Sequence, residues 1–355
     1  MSSYIEMKIL LFYTYNQSFL AAFFNELALS LQERGWQVQV FSFKNEASVL
    51  EEPLRVDIKQ KKHYFKNSVE IYKAIRKYKP DVIISNFSYV NAAVLSAWLF
   101  RVKKNIVWSH TLTDQLEASR FNIFRKSIFL KIASGIIVNS NKLKVDLETN
   151  YNINSDKIYP IPFWSGLEND VVNRKKIQIE NVKIGVPGRI EKVKNQQIVI
   201  DLLLEYRRDL GKTKWNFAGS GNDEERLKDQ IRKNKLENSI EFLGVLGIKE
   251  MRRFYNQMDV IILPSKFESF GLVLIEALSM NCPVLVSEKF GALNYIDDED
   301  FLNRYTFNPH DVMDLKAKFD RLLLLPPESN QYFKDIYLRF FKKEEIIDSV
   351  EKIIN

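Results

Sequence analysis

Cysteine is almost absent: Cys282 is the only one in 355 residues. No intrachain disulfide can form, which excludes the stapled scaffolds of small secreted proteins and points to a reducing, cytoplasmic setting. Histidine is nearly as scarce. His63, His110 and His310 lie far apart without the spacing of metal ligands, so no metal is expected. Long apolar runs are missing as well. The longest, such as AAVLSAWLF at 92–100, fall far short of the ~18–20 residues that cross a bilayer. The N-terminal MSSYIEMKILLFYTYN has neither a basic leader nor a small-residue cleavage site, and reads as a first strand rather than a signal peptide.

What is present is the composition of an ordinary globular protein, 46% hydrophobic and 27% charged, without low-complexity or collagenous bias. A single core rarely grows beyond roughly 250–300 residues, so two α/β domains are expected. The net charge of +7 is uneven: residues 1–165 hold 22 Lys+Arg against 14 Asp+Glu, and the remainder 30 against 31. A basic half attracts anionic lipid or nucleic acid, although a lysine-rich surface can be merely solvated. The basic run at 59–62 comes with no recognisable reading module, so no nucleic-acid partner is expected.

Short β-branched or aromatic runs alternate with helical patterns: KILLFYT (8–14), VQVFSF (38–43), DVIISNF (81–87), NIVWSH (105–110) and GIIVNS (135–140). Between the first two, LAAFFNELALSLQERG (20–35) has the apolar period of an amphipathic helix. This βαβ rhythm implies a mainly parallel sheet, with ligands near the carboxyl ends of the strands. It pauses at KIYPIPFWSGLENDVVNRKK, where Pro160, Pro162 and Gly166 break regular structure, and a linker is placed there. It restarts with VKIGVPGR (182–189), KWNFAGSG (214–221), SIEFLG (239–244), DVIILPS (259–265) and PVLVSE (283–288). The second half therefore reads as a second Rossmann-like domain.

The candidate site residues collect in this second half. GLVLIEALSMN surrounds Glu276 with apolar residues, so its helix must be buried. A buried carboxylate is costly without a donor. A ribose diol would serve, and so would a nearby Lys or Arg in a purely structural pairing. Glu268 lies eight residues earlier, where the chain leaves a strand. Ser269, Phe270 and Gly271 follow as a strand-to-helix turn whose free N–H groups favour an anion. On position alone, Glu268 is equally an exposed acid that helps the helix dipole. In VPGRIEKVKNQQ, Arg189 and Lys194 fall at the same sheet edge and either clamp a diphosphate or belong to a solvated basic loop.

Other signals are weaker. FAGSGNDEERL has only two glycines of a dinucleotide loop and reads as a tight turn near the nucleotide, with Asn222 or Asp223 capping the next helix. His110 ends a first-domain strand facing the cleft between domains; a lone histidine is usually structural, and this placement favours a functional one. The acidic run at 297–300 contains Asp298-Glu-Asp300, which looks like a metal-binding DxD, but it reads as a solvated loop in the wrong half of the chain. SRFNIFRKSIFLKIAS (119–134) interleaves Arg120, Arg125, Lys126 and Lys131 with aromatic and aliphatic residues. It fits a helix on an anionic membrane surface and, equally, a helix packed on its own sheet.

Taken together, these residues resemble the retaining glycosyltransferases of family 4. The E-x7-E pattern is met by Glu268 and Glu276, and G-R-x4-K by Gly188, Arg189 and Lys194, with the AGSG turn, the strand IEFLG and His110 also similar. The correspondence is strong across residues 180–290 and only in outline before that. It implies an α/β, GT-B fold: two Rossmann-like domains whose parallel sheets face an interdomain cleft. Residues 1–164 would bind the acceptor, joined by a returning helix at about 335–355, and 165–334 would bind the donor. The resemblance further implies that Arg189 and Lys194 hold the donor diphosphate with help from amides at Ser269, Phe270, Gly271 and Leu272. Glu276 would bind the ribose, Leu243 and Gly244 would lie beside the base, and Glu268 and His110 would touch the transferred sugar. No metal or other cofactor is implied. The partners would be a nucleoside diphosphate sugar, a glycan or lipid-linked acceptor, and an anionic membrane surface at the inner face.

Two departures stand out. The Gly-Gly turn that often follows the first strand is replaced by Asn16 and Gln17, and the Gly-Gly-x-x-Glu after the PV strand by FGALNYI. A sugar-nucleotide epimerase on the same architecture, which converts the donor without an acceptor, and a silent nucleotide-sugar-binding subunit are the competing readings.

Overall fold

KILLF and VIISN are apolar at nearly every position, which suits strands buried beneath helices on both faces. The computed structural model describes residues 7–16, 18–44, 54–113, 119–167, 181–206, 213–327 and 329–355. By its internal contacts the chain divides into two compact units, Met1–Trp164 with Lys343–Asn355, and Ser165–Lys342.

The first unit holds strands β1 (Lys8–Phe12), β2 (Gln37–Lys44), β3 (Arg55–Gln60), β4 (Val82–Asn86), β5 (Lys104–Ser109), β6 (Gly135–Val138) and β7 (Ile158–Pro160). They form a seven-stranded sheet in the order β3-β2-β1-β4-β5-β6-β7, parallel throughout. The crossovers are helices α1 (Phe19–Glu33), α2 (Tyr64–Tyr78), α3 (Val90–Leu99), α4 (Arg120–Ile132) and α5 (Asn141–Tyr151). Ser18, Ser119 and Ser140 start α1, α4 and α5 by accepting a hydrogen bond from an amide of the first turn.

The second unit repeats the plan with β8 (Lys183–Pro187), β9 (Lys214–Ala218), β10 (Ile240–Gly244), β11 (Val260–Leu263), β12 (Val284–Ser287) and β13 (Thr306–Phe307), in the parallel order β10-β9-β8-β11-β12-β13. Its helices are α6 (Gln196–Glu205), α7 (Glu224–Lys233), α8 (Ile248–Gln257), α9 (Leu272–Ser279), α10 (Glu299–Tyr305), α11 (Val312–Leu324) and α12 (Tyr332–Phe340). The last helix, α13 (Lys343–Ile354), belongs to the first unit, where Arg34 beside α1 bonds Asp348 and Glu351, and Trp36 donates to Glu351 at 2.8 Å.

Three strands depart from the sequence reading. β3 alternates charged and apolar residues at the sheet edge, so its run was too polar to stand out. β7 occupies the stretch read as the start of a linker; Pro160 is tolerated because β7 is an edge strand. The remainder of that stretch, from 168, lies outside the described residues. β13 has only two residues. The run at 297–300 is also more than a solvated loop: Asp298 caps α10 by accepting from the Phe301 amide at 2.9 Å and pairs with Arg339.

In each sheet the strand order reverses once, between β1 and β4 and between β8 and β11, and such reversals open a crevice at the carboxyl edge. In the second unit that edge is drawn tight by glycine. Gly188 N–H donates to Ala218 O at 2.9 Å, and Gly219 bridges to Gly244 at the end of β10. A Cβ on Gly219 would lie 2.0 Å from Gly188 O, at a φ of +150°. The AGSG turn thus serves backbone-to-backbone approach of neighbouring loops. Gly219→Ala is expected to destabilise the fold by about 1–3 kcal/mol, as overpacking does; an unchanged urea midpoint would show that the loops can separate freely.

Candidate functional site

The loop after β8 runs from Gly188 through the single turn Lys192–Lys194 into α6, and the loop after β11 runs from Pro264 through Gly271 into α9. Backbone bonds fasten the two together: Lys266 N–H donates to Val193 O at 2.8 Å, and Asn195, in the left-handed region at φ +58°, donates through its side chain to Pro264 O at 3.1 Å. At the junction Lys194 Nζ pairs with Glu268 Oε2, with only 18% and 15% of the two side chains exposed. Glu268 is therefore a sheltered, ion-paired acid rather than a loop carboxylate in solvent. Its backbone is fixed on the other side by Lys289 and Gly291.

Gly271 starts α9 at φ +99°, with no side-chain cap on the helix. A Cβ there would fall 2.1 Å from the Phe290 ring and 3.1 Å from Glu268 Cγ, so only glycine lets the turn and the glutamate coexist. Ser269, Phe270 and Leu272 occupy this turn and the first helical position, where backbone amides lack intrahelical partners. Arg189 differs from Lys194. Its side chain is 73% exposed and its guanidinium meets Glu191 at 2.9 Å, so the two predicted diphosphate ligands share a loop without meeting. Leu243 and Gly244 end β10, two strands away from β8, and connect to it through the Gly219 contacts. Asp223 stands at the start of α7 but makes no cap; both its oxygens take Arg226 at 2.7 Å.

Glu276 is buried on α9, and its donor is neither lysine nor arginine: Tyr255 Oη on α8 donates to Glu276 Oε2 at 2.6 Å. Burial pushes the carboxyl up to about 7, the tyrosine hydrogen bond working against that rise. Burial and the neighbouring carboxylate in turn push the Tyr255 hydroxyl well above its ordinary value. Tyr255 escaped the sequence reading because tyrosine in an amphipathic helix carries no spacing signal toward an acid on another element.

In the first unit, His110 follows β5, and its Nε2 meets Asn86 Oδ1 at 2.7 Å, with Nε2–H as the donor. The ring lies among Phe24, Phe87, Trp108 and Phe163. Burial lowers its pKa to about 3, so the imidazole is neutral at physiological pH, and the buried Nδ1 has no partner among the described residues. Asn86 was legible only as a polar residue closing an apolar strand. Among the described residues no group of His, Cys, Asp and Glu is arranged to hold a metal.

The family model of glycosyl transferases group 1 matches residues 171–337, and that of Glycosyltransferase Family 4 matches 20–163. The chain is 26% identical over 294 residues to an alpha-monoglucosyldiacylglycerol synthase of Streptococcus pneumoniae, covering 76% of this chain and 64% of that protein. It is 25% identical over 245 residues to an uncharacterized glycosyltransferase of Methanocaldococcus jannaschii, covering 63% and 59%. The matches thus span about three fifths of these relatives' own length. Among solved structures, sucrose-phosphate synthase from Thermosynechococcus elongatus superposes with a TM-score of 0.76 at 17% identity, with 98% of both chains covered. Anabaena HepE in complex with UDP-glucose gives 0.74 at 16% identity, again over 98% of both. These structural likenesses establish the shared fold.

The Glu276 carboxyl titrates near 4.5 when unfolded and near 7 when folded, so its contribution to stability is whole below the first value and is lost as pH rises through the second. From about pH 5 to about pH 8 the wild type should lose on the order of 3 kcal/mol relative to Glu276→Gln, which keeps an oxygen for Tyr255 but cannot ionise. Parallel urea-unfolding profiles for the two proteins would place the titration elsewhere.

Proposed function

We propose that this chain, a glycosyltransferase of the GT-B type, transfers a sugar from a nucleoside diphosphate sugar, UDP- or GDP-linked, to a hydroxyl of a glycan or lipid-linked acceptor. In this reading it works with retention of configuration, as family 4 enzymes do, and builds a bacterial surface polysaccharide. The observation that carries the reading is the sheltered Lys194–Glu268 pair at the carboxyl edge between β8 and β11. The donor class is supported by HepE, which was solved with UDP and with UDP-glucose.

Each charge of the pair has a distinct task. The donor diphosphate takes over Lys194, which neutralises charge developing on the departing phosphate oxygen. Glu268, released from the lysine, accepts hydrogen bonds from hydroxyls of the transferred sugar. Arg189, which is exposed on the same loop, swings onto the diphosphate, and the amides from Ser269 to Leu272 assist at the positive end of α9. Glu276, oriented by Tyr255, accepts from the ribose hydroxyls; Leu243 and Gly244 flank the base; and His110 touches the transferred sugar. With Lys194 and Arg189 supplying positive charge, no metal is required.

The acceptor side is proposed to work on an anionic bilayer at the inner membrane face. No helix among the described residues is long and apolar enough to cross a membrane. On α4, however, Phe121, Phe124 and Ile128 share one outward face at 71%, 63% and 44% exposure, and Leu95, Trp98 and Leu99 are exposed on the neighbouring α3. α4 carries no acid, and its exposed cations Arg120, Arg125 and Lys131 set charge of the sign that anionic headgroups attract beside this apolar face, while Lys126 turns inward over the Tyr151 ring.

Lys194→Ala or Glu268→Ala should lower turnover by about 10²–10³-fold or more with the fold intact by circular dichroism. Full activity in either variant refutes the site, and conversion of the donor without any acceptor would favour an epimerase. Phe121→Ser/Phe124→Ser should abolish sedimentation with phosphatidylglycerol vesicles and leave UDP binding unchanged; undiminished sedimentation would remove the membrane face from the proposal.

A further inference from the structure

A cavity of about 430 Å³ opens at the carboxyl edge of the first unit, where the chain leaves β1, β2, β3 and β4. Its floor is apolar: Phe43 and Tyr89 stack with ring centroids 5.5 Å apart, beside Ile71. An apolar lining of this kind suits the C–H face of a sugar ring. The rim holds Lys61, Lys62 and Asn16, and no aspartate or glutamate lines the cavity among the described residues.

The hydrogen-bonding groups around this cavity are unbalanced. Three of its side-chain acceptors are taken, which leaves the hydroxyls of Thr14, Tyr64, Ser68 and Ser88 to exchange hydrogen bonds with a ligand. Asn16 Oδ1 accepts from both the amide and the hydroxyl of Ser18, at 3.0 and 2.5 Å. The Asn67 amide is occupied at both ends by the Lys62 backbone, 2.8 Å each way, which also fixes the base of that lysine side chain. Tyr89 Oη accepts from the Phe43 amide at 2.8 Å. The nitrogen donors, by contrast, make no hydrogen bond to a side chain among the described residues, although Glu70 attracts Lys62 from a distance. The Asn16 side-chain N–H₂ has no acceptor among the described residues. Neither ammonium pairs with a carboxylate there, since Asp57 is held by Lys59 and Glu70 by Lys73. A neutral sugar hydroxyl both donates and accepts, whereas a carboxylate or phosphate ester only accepts, and accepts most strongly from ammonium groups.

We infer that this cavity receives a sugar that carries a negative charge, as carboxylate or phosphate ester, and that such a sugar is the acceptor in the transfer proposed above, on which this inference rests. The ring lies on Phe43 and Tyr89, and the charged group meets Lys61 and Lys62. Asn16 stands where a glycine would offer only backbone, and adds a side-chain donor at the rim.

The test titrates the whole chain with UDP, glucuronic acid, glucose 6-phosphate, inorganic phosphate and glucose, followed by ligand-observed NMR. Glucuronic acid or glucose 6-phosphate should bind at least about tenfold more tightly than glucose, and whichever does so identifies the charged group. Lys61→Ala/Lys62→Ala should remove that preference, Lys61→Arg/Lys62→Arg should keep it, and UDP affinity should be the same in all three proteins. Equal binding of glucose, inorganic phosphate binding as tightly as the sugar phosphate, or an undiminished preference in the alanine variant would each overturn the inference. Loss of UDP binding in the wild type would instead defeat the donor reading of the second unit and leave the cavity result to stand or fall separately.

Discussion

Lys194 and Glu268 are 74 positions apart in the chain and meet because parallel strands all release it at one edge. β8 and β11 are adjacent in the sheet, and the chain departs from them toward opposite sides, so their loops flank a crevice rather than fill it. An ion pair with this little exposure is a poor source of stability, since desolvation offsets most of the attraction. Removing one partner is worse, because the other charge is left stranded. That asymmetry suits a site whose occupant brings both a diphosphate for the lysine and hydroxyls for the carboxylate, leaving neither charge alone at any stage. The surrounding loops are correspondingly fixed: Lys266 and Gly291 hold them by main-chain bonds, Asn195 by its side-chain amide, and Gly271 removes the side chain that would push Glu268 aside.

The architecture was largely legible because buried parallel strands are nearly continuous apolar runs, and the central strands of both sheets announce themselves in VIISN, GIIV, VIIL and VLVS. Legibility failed at the margins for a related reason. Edge strands are half solvated, so β3 alternates with charge and β7 admits a proline. The glycines of AGSG were legible as a turn, but their purpose was not. A weak dinucleotide motif and a loop-packing motif are the same letters, and only the 2.0 Å approach of a Gly219 Cβ to Gly188 O separates them.

The site divides along similar lines. The need of Glu276 for a donor followed from burial alone, and the identity of that donor did not, because Tyr255 arrives from a separate helix whose position depends on packing of the whole unit. His110 was placed at a strand terminus, yet its environment of four aromatic rings and Asn86 gathers residues from α1, β4, β5 and the segment after β7, which no local pattern encodes. Arg189 and Lys194 appeared equivalent as cations of one loop. The fold distinguishes them, sheltering one against a carboxylate and leaving the other in solvent.

The uneven charge of the chain gains meaning from where its cations find partners. In the second unit the basic residues are repeatedly matched within their own elements, as in Lys228 with Glu224 and Glu225, Arg232 with Asp229, and Lys316 with Asp320. In the first unit many cations are spread over the exposed surface, as on α2 and after α3, but part of the surplus is gathered. α4 exposes Arg120, Arg125 and Lys131 with no acid in its span, and Lys61 and Lys62 stand beside a cavity lined by no acid among the described residues. Screening confines such fields to about 8–10 Å in physiological salt, so a diffuse surplus would have little effect while a local cluster acts strongly on whatever touches it. Both clusters adjoin apolar surface, one on the outward rings of α4 and the other on the Phe43–Tyr89 floor. Cations set beside apolar groups suit amphiphilic, anionic matter, and a charged sugar presented at a lipid surface has that chemistry on both counts.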